Sequence, residues 1–191
     1  MISRRRSLIV ILALALAPLA TADPPQEPDP VLRELLIGAV ADADSFEDRF
    51  DAEVWLVDMS ARLRRKVPDD AQRLQLLKTI HYEAARVDLP AELVLAVIDI
   101  ESNFDRFAIS YAGALGMMQI MPFWLDEIGR PDDNLFHVPT NLRMGCTILR
   151  YYIDREKGDL AGGLARYNGS YGRRTYSDKV LDRLRNRWYR R

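Results

Sequence analysis

The chain has 191 residues, of which 48% are apolar and 29% are charged, and its formal net charge is −1. This globular composition excludes wholesale disorder and collagen-like repeats, and the near-zero net charge argues against non-specific nucleic-acid binding as the main role. One cysteine, Cys146, allows no intramolecular disulfide, and two widely separated histidines, His81 and His137, make a histidine-rich zinc site unexpected.

The first 22 residues have the pattern of an export signal. Arg4–Arg6 form a positive start, Leu8–Ala17 are apolar, and Ala20–Ala22 fit the small-residue pattern of a cleavage site. An uncleaved membrane anchor is the alternative, but the apolar run is shorter than the roughly 20 residues that a spanning helix needs. We therefore expect residues 1–22 to be a signal peptide and the protein to be exported, to the periplasm.

The rest of the chain shows helical spacing throughout. A short proline-rich linker, residues 23–30, leads into a predicted helical extension up to residue 68, and residues 69–191 are expected to form the main domain. No sustained alternation of apolar and polar residues predicts strands, so the fold class is mainly α. Four apolar series recur at three- and four-residue steps: Phe46, Phe50, Val54 and Val57; Leu74, Leu77, His81 and Ala84; Leu142, Cys146, Leu149 and Ile153; Tyr176, Val180, Leu184 and Trp188.

Helix boundaries follow from proline, acidic residues and glycine. Pro68–Asp70 place a proline and two acidic residues, and Leu89–Glu92 a proline and one acidic residue, where a first helical turn favours them. Pro139–Asn141 start a further helix, Gly158 ends it, and Asp159 caps the next one.

Charge is distributed unevenly along the chain. Residues 23–60 carry eleven acidic and two basic side chains, whereas residues 173–191 carry eight basic and two acidic ones. Both stretches are interpreted as solvated surface, or alternatively the basic tail contacts an anionic polymer.

Glu101 is the candidate catalytic residue. It ends a run in which seven of the eight residues 93–100 are apolar, the exception being Asp99. Loss of hydration in such surroundings raises the pKa of a carboxyl group, and a Glu that stays protonated near neutrality can act as a general acid. The alternative is a Glu at a helix end that points into water.

Three short motifs follow one another in order. Glu101-Ser102, then Gly116–Gln119, then Arg166–Asn168 resemble the ES, GLMQ and AYN motifs of the soluble lytic transglycosylase family, over roughly residues 75–190. Met117 replaces the usual leucine and Arg166 the usual alanine. The resemblance implies a lysozyme-like fold of the soluble-lytic-transglycosylase and goose-type class, here with an N-terminal helical extension.

The resemblance also implies a reaction. Family members cleave the β-1,4 bond between N-acetylmuramic acid and N-acetylglucosamine in peptidoglycan without adding water, and leave 1,6-anhydro ends. One Glu, matched by Glu101, serves as acid and then as base, so no second acid, metal or cofactor is implied. Asp105 is a looser candidate for a second acid.

Substrate-binding roles are carried over to five positions. Ser110 matches a serine that contacts the N-acetylmuramoyl unit, with a turn-forming serine as the alternative. Met118 and Gln119 end the second motif, and Met118 could equally fill the core. Tyr167 matches a tyrosine whose hydroxyl orients the catalytic carboxylate, and Asn168 follows it as a binding or structural residue.

Two other functions stay open. A hydrolase of the same fold, as in goose-type lysozymes, would release reducing ends, and a non-catalytic wall protein would bind glycan without cleaving it. In each case the expected partner is the peptidoglycan glycan strand.

Overall fold

The computed structural model describes residues 49–189. The predicted signal peptide, the linker and residues 31–48 of the predicted extension lie outside the described residues. Across residues 49–189 the protein is mainly α and contains no strand, which confirms the predicted fold class. Seven α-helices are followed by a π-helical turn: α1 (Arg49–Leu63), α2 (Asp70–Ala85), α3 (Ala91–Glu101), α4 (Trp124–Ile128), α5 (Val138–Arg155), α6 (Leu160–Tyr167), α7 (Thr175–Arg183) and the turn Leu184–Trp188.

The helix boundaries agree with the local signals. The carboxylate of Asp69 accepts a hydrogen bond of 2.7 Å from the backbone N–H of Gln72 and so caps α2. Asp159 caps α6 in the same way. Pro90 directly precedes α3, and Pro139 lies in the first turn of α5. The short helix α4 was not predicted, since five residues are too few to show a periodic pattern.

Helix α3 lies at the centre of the domain. All side chains from Leu93 to Ile98 are fully buried, and α2, α7 and the π-helical turn pack around the helix. Burial on every side matches a helix that is apolar nearly all round. None of the helices within residues 49–189 is both long and apolar enough to cross a membrane.

Helix α1 joins this core through a face that the spacing did not predict. Phe50 and Val57, expected to face inward, are 71% and 45% exposed. The buried face carries Trp55 instead, whose indole N–H donates to the Glu92 carboxylate at 2.8 Å. Apolar residues at helical spacing occur on both faces of α1, and contact with α2 and α3 decides which face is buried. The division of the chain after residue 68 stays a prediction.

Candidate active site

Glu101 is the last residue of the central helix. Directly after it, Asn103 and Phe104 adopt positive φ angles of 54° and 70°. Such angles are uncommon for residues other than glycine and reverse the chain sharply. The Phe104 ring packs on Trp188, with 5.6 Å between ring centroids, and the Asn103 side chain accepts a hydrogen bond from Lys66. These contacts hold the turn in place and leave the half-buried Glu101 at the end of α3.

Two other helices supply the partners of the Glu101 carboxylate. The hydroxyl of Tyr176, on α7, donates to Glu101 Oε1 at 2.5 Å. Burial raises the pKa of Glu101, and hydrogen bonding by the side chains of Tyr176 and Asn168 lowers it, with a net rise. The group therefore keeps its proton at a higher pH than a free Glu, as the sequence predicted.

Tyr167 does not make the contact expected of it. Its hydroxyl donates to the backbone carbonyl of Met118 at 2.6 Å, and Tyr176 holds Glu101 instead. Burial and the nearby Glu101 charge raise the pKa of both tyrosines, so both hydroxyls remain donors. Tyr176 carried no sequence signal beyond its helical spacing, because its contact with Glu101 spans 75 residues.

The loop between α3 and α4 presents Ser110 and Gln119. Ser110 Oγ accepts a hydrogen bond of 3.0 Å from the backbone N–H of Ala114. This is the contact expected of a turn-forming serine, the alternative role given to Ser110. Its hydroxyl hydrogen is a further donor. Gln119 has a φ of 53°, and its side-chain amide donates to the carbonyls of Gly116 and Ala108 at 2.9 and 3.2 Å. The Gln119 carbonyl oxygen is thereby held in one orientation and can accept a further hydrogen bond.

Met118 belongs to the core rather than to the binding surface. Its side chain is 0% exposed, and Gly145 on α5 leaves the room it fills, since a side chain at Gly145 would collide with Met118. A fully buried side chain offers no surface to a ligand, so the expected substrate contact of Met118 is wrong for its side chain. Its carbonyl still matters, because it binds the Tyr167 hydroxyl.

Asn141 holds the loop against α5. Its side-chain oxygen accepts from the Met118 N–H at 2.8 Å, and its nitrogen donates to the carbonyls of Leu115 and Leu135 at 2.9 Å each. The residue is 1% exposed. One buried amide thus satisfies three backbone groups that lack helical partners.

Replacing Asn141 by Ala is expected to lower the free energy of unfolding by about 2 kcal/mol, because the buried Met118 N–H and Leu135 carbonyl lose their partner. The Leu115 carbonyl keeps its hydrogen bond from the Ile120 N–H. Urea denaturation followed by circular dichroism measures the loss of stability. Asn134→Ala is the control, since Asn134 is exposed and accepts one local hydrogen bond from Phe136. Equal losses in the two variants would contradict the role given to Asn141.

Two aspartates lie near Glu101 in sequence, and both are engaged elsewhere. Asp99 is buried in an ion-pair cluster with Lys66 and Arg183. Asp105 is exposed, and its carboxylate accepts a hydrogen bond of 2.9 Å from the backbone N–H of Phe107. Between residues 49 and 189, no three histidine, cysteine or acidic side chains are grouped as metal ligands would be. Glu101 is therefore the carboxyl group around which a reaction can be built.

Fold and site together define a lysozyme-like domain organised around one half-buried carboxyl group, that of Glu101. The chain belongs to the transglycosylase SLT domain family, which matches residues 78–184. It is 31% identical to a transglycosylase of Enterobacteria phage PRD1 over 118 residues, which are 58% of this chain and 43% of the phage protein. It is 41% identical to the membrane-bound lytic murein transglycosylase C of Histophilus somni strain 2336 over 88 residues, which are 41% and 24% of the two chains. The match thus covers less than half the length of each relative.

Proposed function

We propose that this protein is an exported lytic transglycosylase of peptidoglycan. It would cleave the β-1,4 bond between N-acetylmuramic acid and N-acetylglucosamine with Glu101 as its only acid and base. The observation that supports this most is the environment of Glu101, where burial raises the pKa and Tyr176 fixes the carboxyl group. The names of the relatives, a transglycosylase and a murein transglycosylase, supply the substrate class.

In the first step, protonated Glu101 gives its proton to the oxygen of the scissile glycosidic bond. The bond breaks as positive charge develops at C1 of the N-acetylmuramoyl unit, and the carbonyl oxygen of its own N-acetyl group stabilises that charge. Asp99 and Asp105 have no part in this step, because both carboxylates are held by other groups. The substrate thus supplies what a second carboxylate supplies in most glycosidases.

In the second step, the Glu101 carboxylate accepts the proton of the C6 hydroxyl, and the C6 oxygen attacks C1. A 1,6-anhydro ring closes without water, and Glu101 recovers its proton. Both protonation states of Glu101 are therefore needed in one turnover. Burial favours the protonated form of Glu101, while the hydrogen bonds from Tyr176 and Asn168 stabilise its ionised form, so that both forms can occur in one turnover.

The loop residues would position the sugar. The Ser110 hydroxyl accepts a hydrogen bond from Ala114, and its own hydrogen can still be donated to a sugar oxygen. The Gln119 carbonyl oxygen can accept a hydrogen bond from a sugar hydroxyl or an N-acetyl N–H. Asn168 lies at the C-terminal end of α6 next to Glu101, where it contacts the carboxylate. Tyr167 links α6 to the loop through the Met118 carbonyl.

The reaction is tested by mass spectrometry of muropeptides released from purified sacculi. We expect products that end in 1,6-anhydro-N-acetylmuramic acid. Reducing ends, which are one water heavier, would make the protein a hydrolase. Binding to sacculi without any product would make it a non-catalytic wall protein.

Replacing Tyr176 by Phe is expected to lower kcat about tenfold and to move the alkaline limb of its pH profile upward. The lost bond stabilises the charged form of Glu101, so its removal raises the pKa of Glu101 further. Glu101 would then stay protonated to a higher pH but would orient poorly as a base. The pH dependence of kcat measures both effects.

Tyr167→Phe is the matched variant, because it removes a tyrosine hydroxyl that does not hydrogen-bond Glu101. We expect it to destabilise the fold by about 1 kcal/mol and to leave the position of the alkaline limb unchanged. Equal shifts of the limb in both variants would contradict the assignment of Tyr176 as the positioning residue.

A further inference from the structure

A basic cleft lies at the C-terminal end of the central helix α3, where α7 continues into the π-helical turn. Its volume is about 550 Å³, and it is lined by Ile100, Lys179, Asp182, Arg183, Asn186 and Arg187. Lys179, Arg183 and Arg187 recur every four residues and share one side of the helical segment. We call this surface the basic cleft.

Two of the three cations in the cleft, Arg183 and Arg187, form ion pairs with the buried carboxylate of Asp99. The Asp99 side chain has no exposed surface, and its Oδ2 lies 2.9 Å from Arg183 Nη1 and 3.6 Å from Arg187 Nε. Both arginines remain about one-third exposed, at 36% and 33%. A guanidinium has five N–H donors, so each arginine keeps donors for a ligand. Because Asp99 fixes them in advance, binding costs little of their side-chain freedom.

Positive charge exceeds negative charge around the cleft. Asp99 also pairs with Lys66, so one carboxylate faces three cations. Asp182, the acid at the rim, is paired with Arg185. Lys179 is exposed and adds a further positive charge. The cleft therefore suits an anion, and several carboxylates along one chain would match its row of cations.

Two residues that line the cleft are close along the chain to the catalytic carboxyl group and to its partner. Ile100, which lines it, directly precedes Glu101, and Lys179 lies one helical turn beyond Tyr176, the partner of Glu101. From Tyr176 to Arg187 the helical rise is about 16 Å. An extended peptide advances about 3.3 Å per residue, so roughly five residues would span that distance.

We propose that the basic cleft binds the free carboxylates of the peptide stem carried by the N-acetylmuramoyl unit at the cleavage site. This inference rests on the proposed function, which places that unit at Glu101. Ile100 offers an apolar contact for small stem side chains, and the Asn186 amide can hydrogen-bond a peptide backbone. A row of cations that lines a cleft fits a short anionic chain better than it fits the flat surface of a membrane.

The test compares wild type, Lys179→Glu and Lys157→Glu on two substrates: glycan strands with stems, and strands stripped of stems by an amidase. Lys157→Glu is the control, because Lys157 is an exposed lysine in the turn between α5 and α6. This substitution makes the same change of charge as Lys179→Glu, but outside the cleft. We expect wild type and Lys157→Glu to prefer stem-bearing strands in kcat/KM. In Lys179→Glu this preference should fall about tenfold, as expected for one lost charge-assisted hydrogen bond. No preference in wild type, or an undiminished preference in Lys179→Glu, would overturn the proposal.

A binding measurement separates this proposal from the proposed function. The full chain is titrated with a fluorescent tetrapeptide stem released from peptidoglycan, and in parallel with phosphatidylglycerol vesicles. Stem binding that weakens with added salt and in Lys179→Glu would support the proposal that the basic cleft binds the stem. If wild type bound the stem in this way but cleaved neither substrate, only the proposed catalysis would be overturned. Vesicle binding that depends on Lys179, without stem binding, would overturn the proposal in favour of a lipid surface.

Discussion

Turnover is expected to fall about 10²- to 10⁴-fold when Glu101 is replaced by Gln, because the variant can neither donate nor accept the proton in either step. Gln matches Glu in size, and its carbonyl oxygen can still accept the Tyr176 hydrogen bond. The fold should therefore persist. Turnover on sacculi, measured beside thermal unfolding, checks both expectations.

The same variant is expected to unfold at a higher temperature than wild type at neutral and alkaline pH. The folded-state pKa of Glu101 is raised, so its protonated form stabilises the fold at low pH, and that contribution is lost as pH rises through the raised pKa. Gln has no such loss, so the difference in melting temperature should grow from acid to alkaline pH. A lower melting temperature for Glu101→Gln at pH 8 would show that the charged group is structural.

Asp105→Asn is the matched control for this experiment. It makes the same change from acid to amide four residues away, and Asn can keep the hydrogen bond that Asp105 accepts from Phe107. We expect turnover close to that of wild type. A loss of turnover as large as that of Glu101→Gln would make Asp105 a second acid and contradict the single-carboxyl mechanism.

Replacing Asp99 by Asn is expected to cost about 3 kcal/mol of unfolding free energy, because the cations around it lose their buried counter-charge. Asp99 has no exposed side-chain surface and pairs with Lys66, Arg183 and Arg187. It also accepts the Trp188 indole N–H at 3.0 Å. One carboxylate thus joins the segment after α1 and the π-helical turn to the central helix. Urea denaturation at neutral pH measures the loss.

The loss should depend on pH in a defined direction. Burial alone raises the pKa of Asp99, but hydrogen bonds and charge from Lys66 and Arg183 outweigh it, and the net pKa is lowered. Its contribution to stability is therefore complete above the unfolded-state pKa and is lost as pH falls through the lower folded-state pKa. Wild type and Asp99→Asn should thus converge in stability in strong acid.

Asp154→Asn is the control, since Asp154 also pairs with an arginine, Arg150, but its side chain is 61% exposed. An exposed pair contributes little because water and salt screen it, so we expect no measurable change. Comparable losses in Asp99→Asn and Asp154→Asn would contradict the central role of the buried cluster.

Local sequence determined the helix boundaries and the candidate acid. Pro90, Pro139, Asp69 and Asp159 act on the backbone within a few residues, so their effects are visible without a fold. The apolar run before Glu101 likewise predicts a buried helix that ends in a carboxyl group. Burial of Cys146 followed from the apolar face of α5, and the structure confirms it.

Tertiary structure alone decided how these parts meet. Tyr176, rather than Tyr167, holds Glu101, and Met118 fills the core, since both outcomes depend on which helices pack together. The buried face of α1 and the ion cluster at Asp99 were decided in the same way. Spacing along the chain specifies which residues share a helix face, but only packing between distant segments specifies what that face meets.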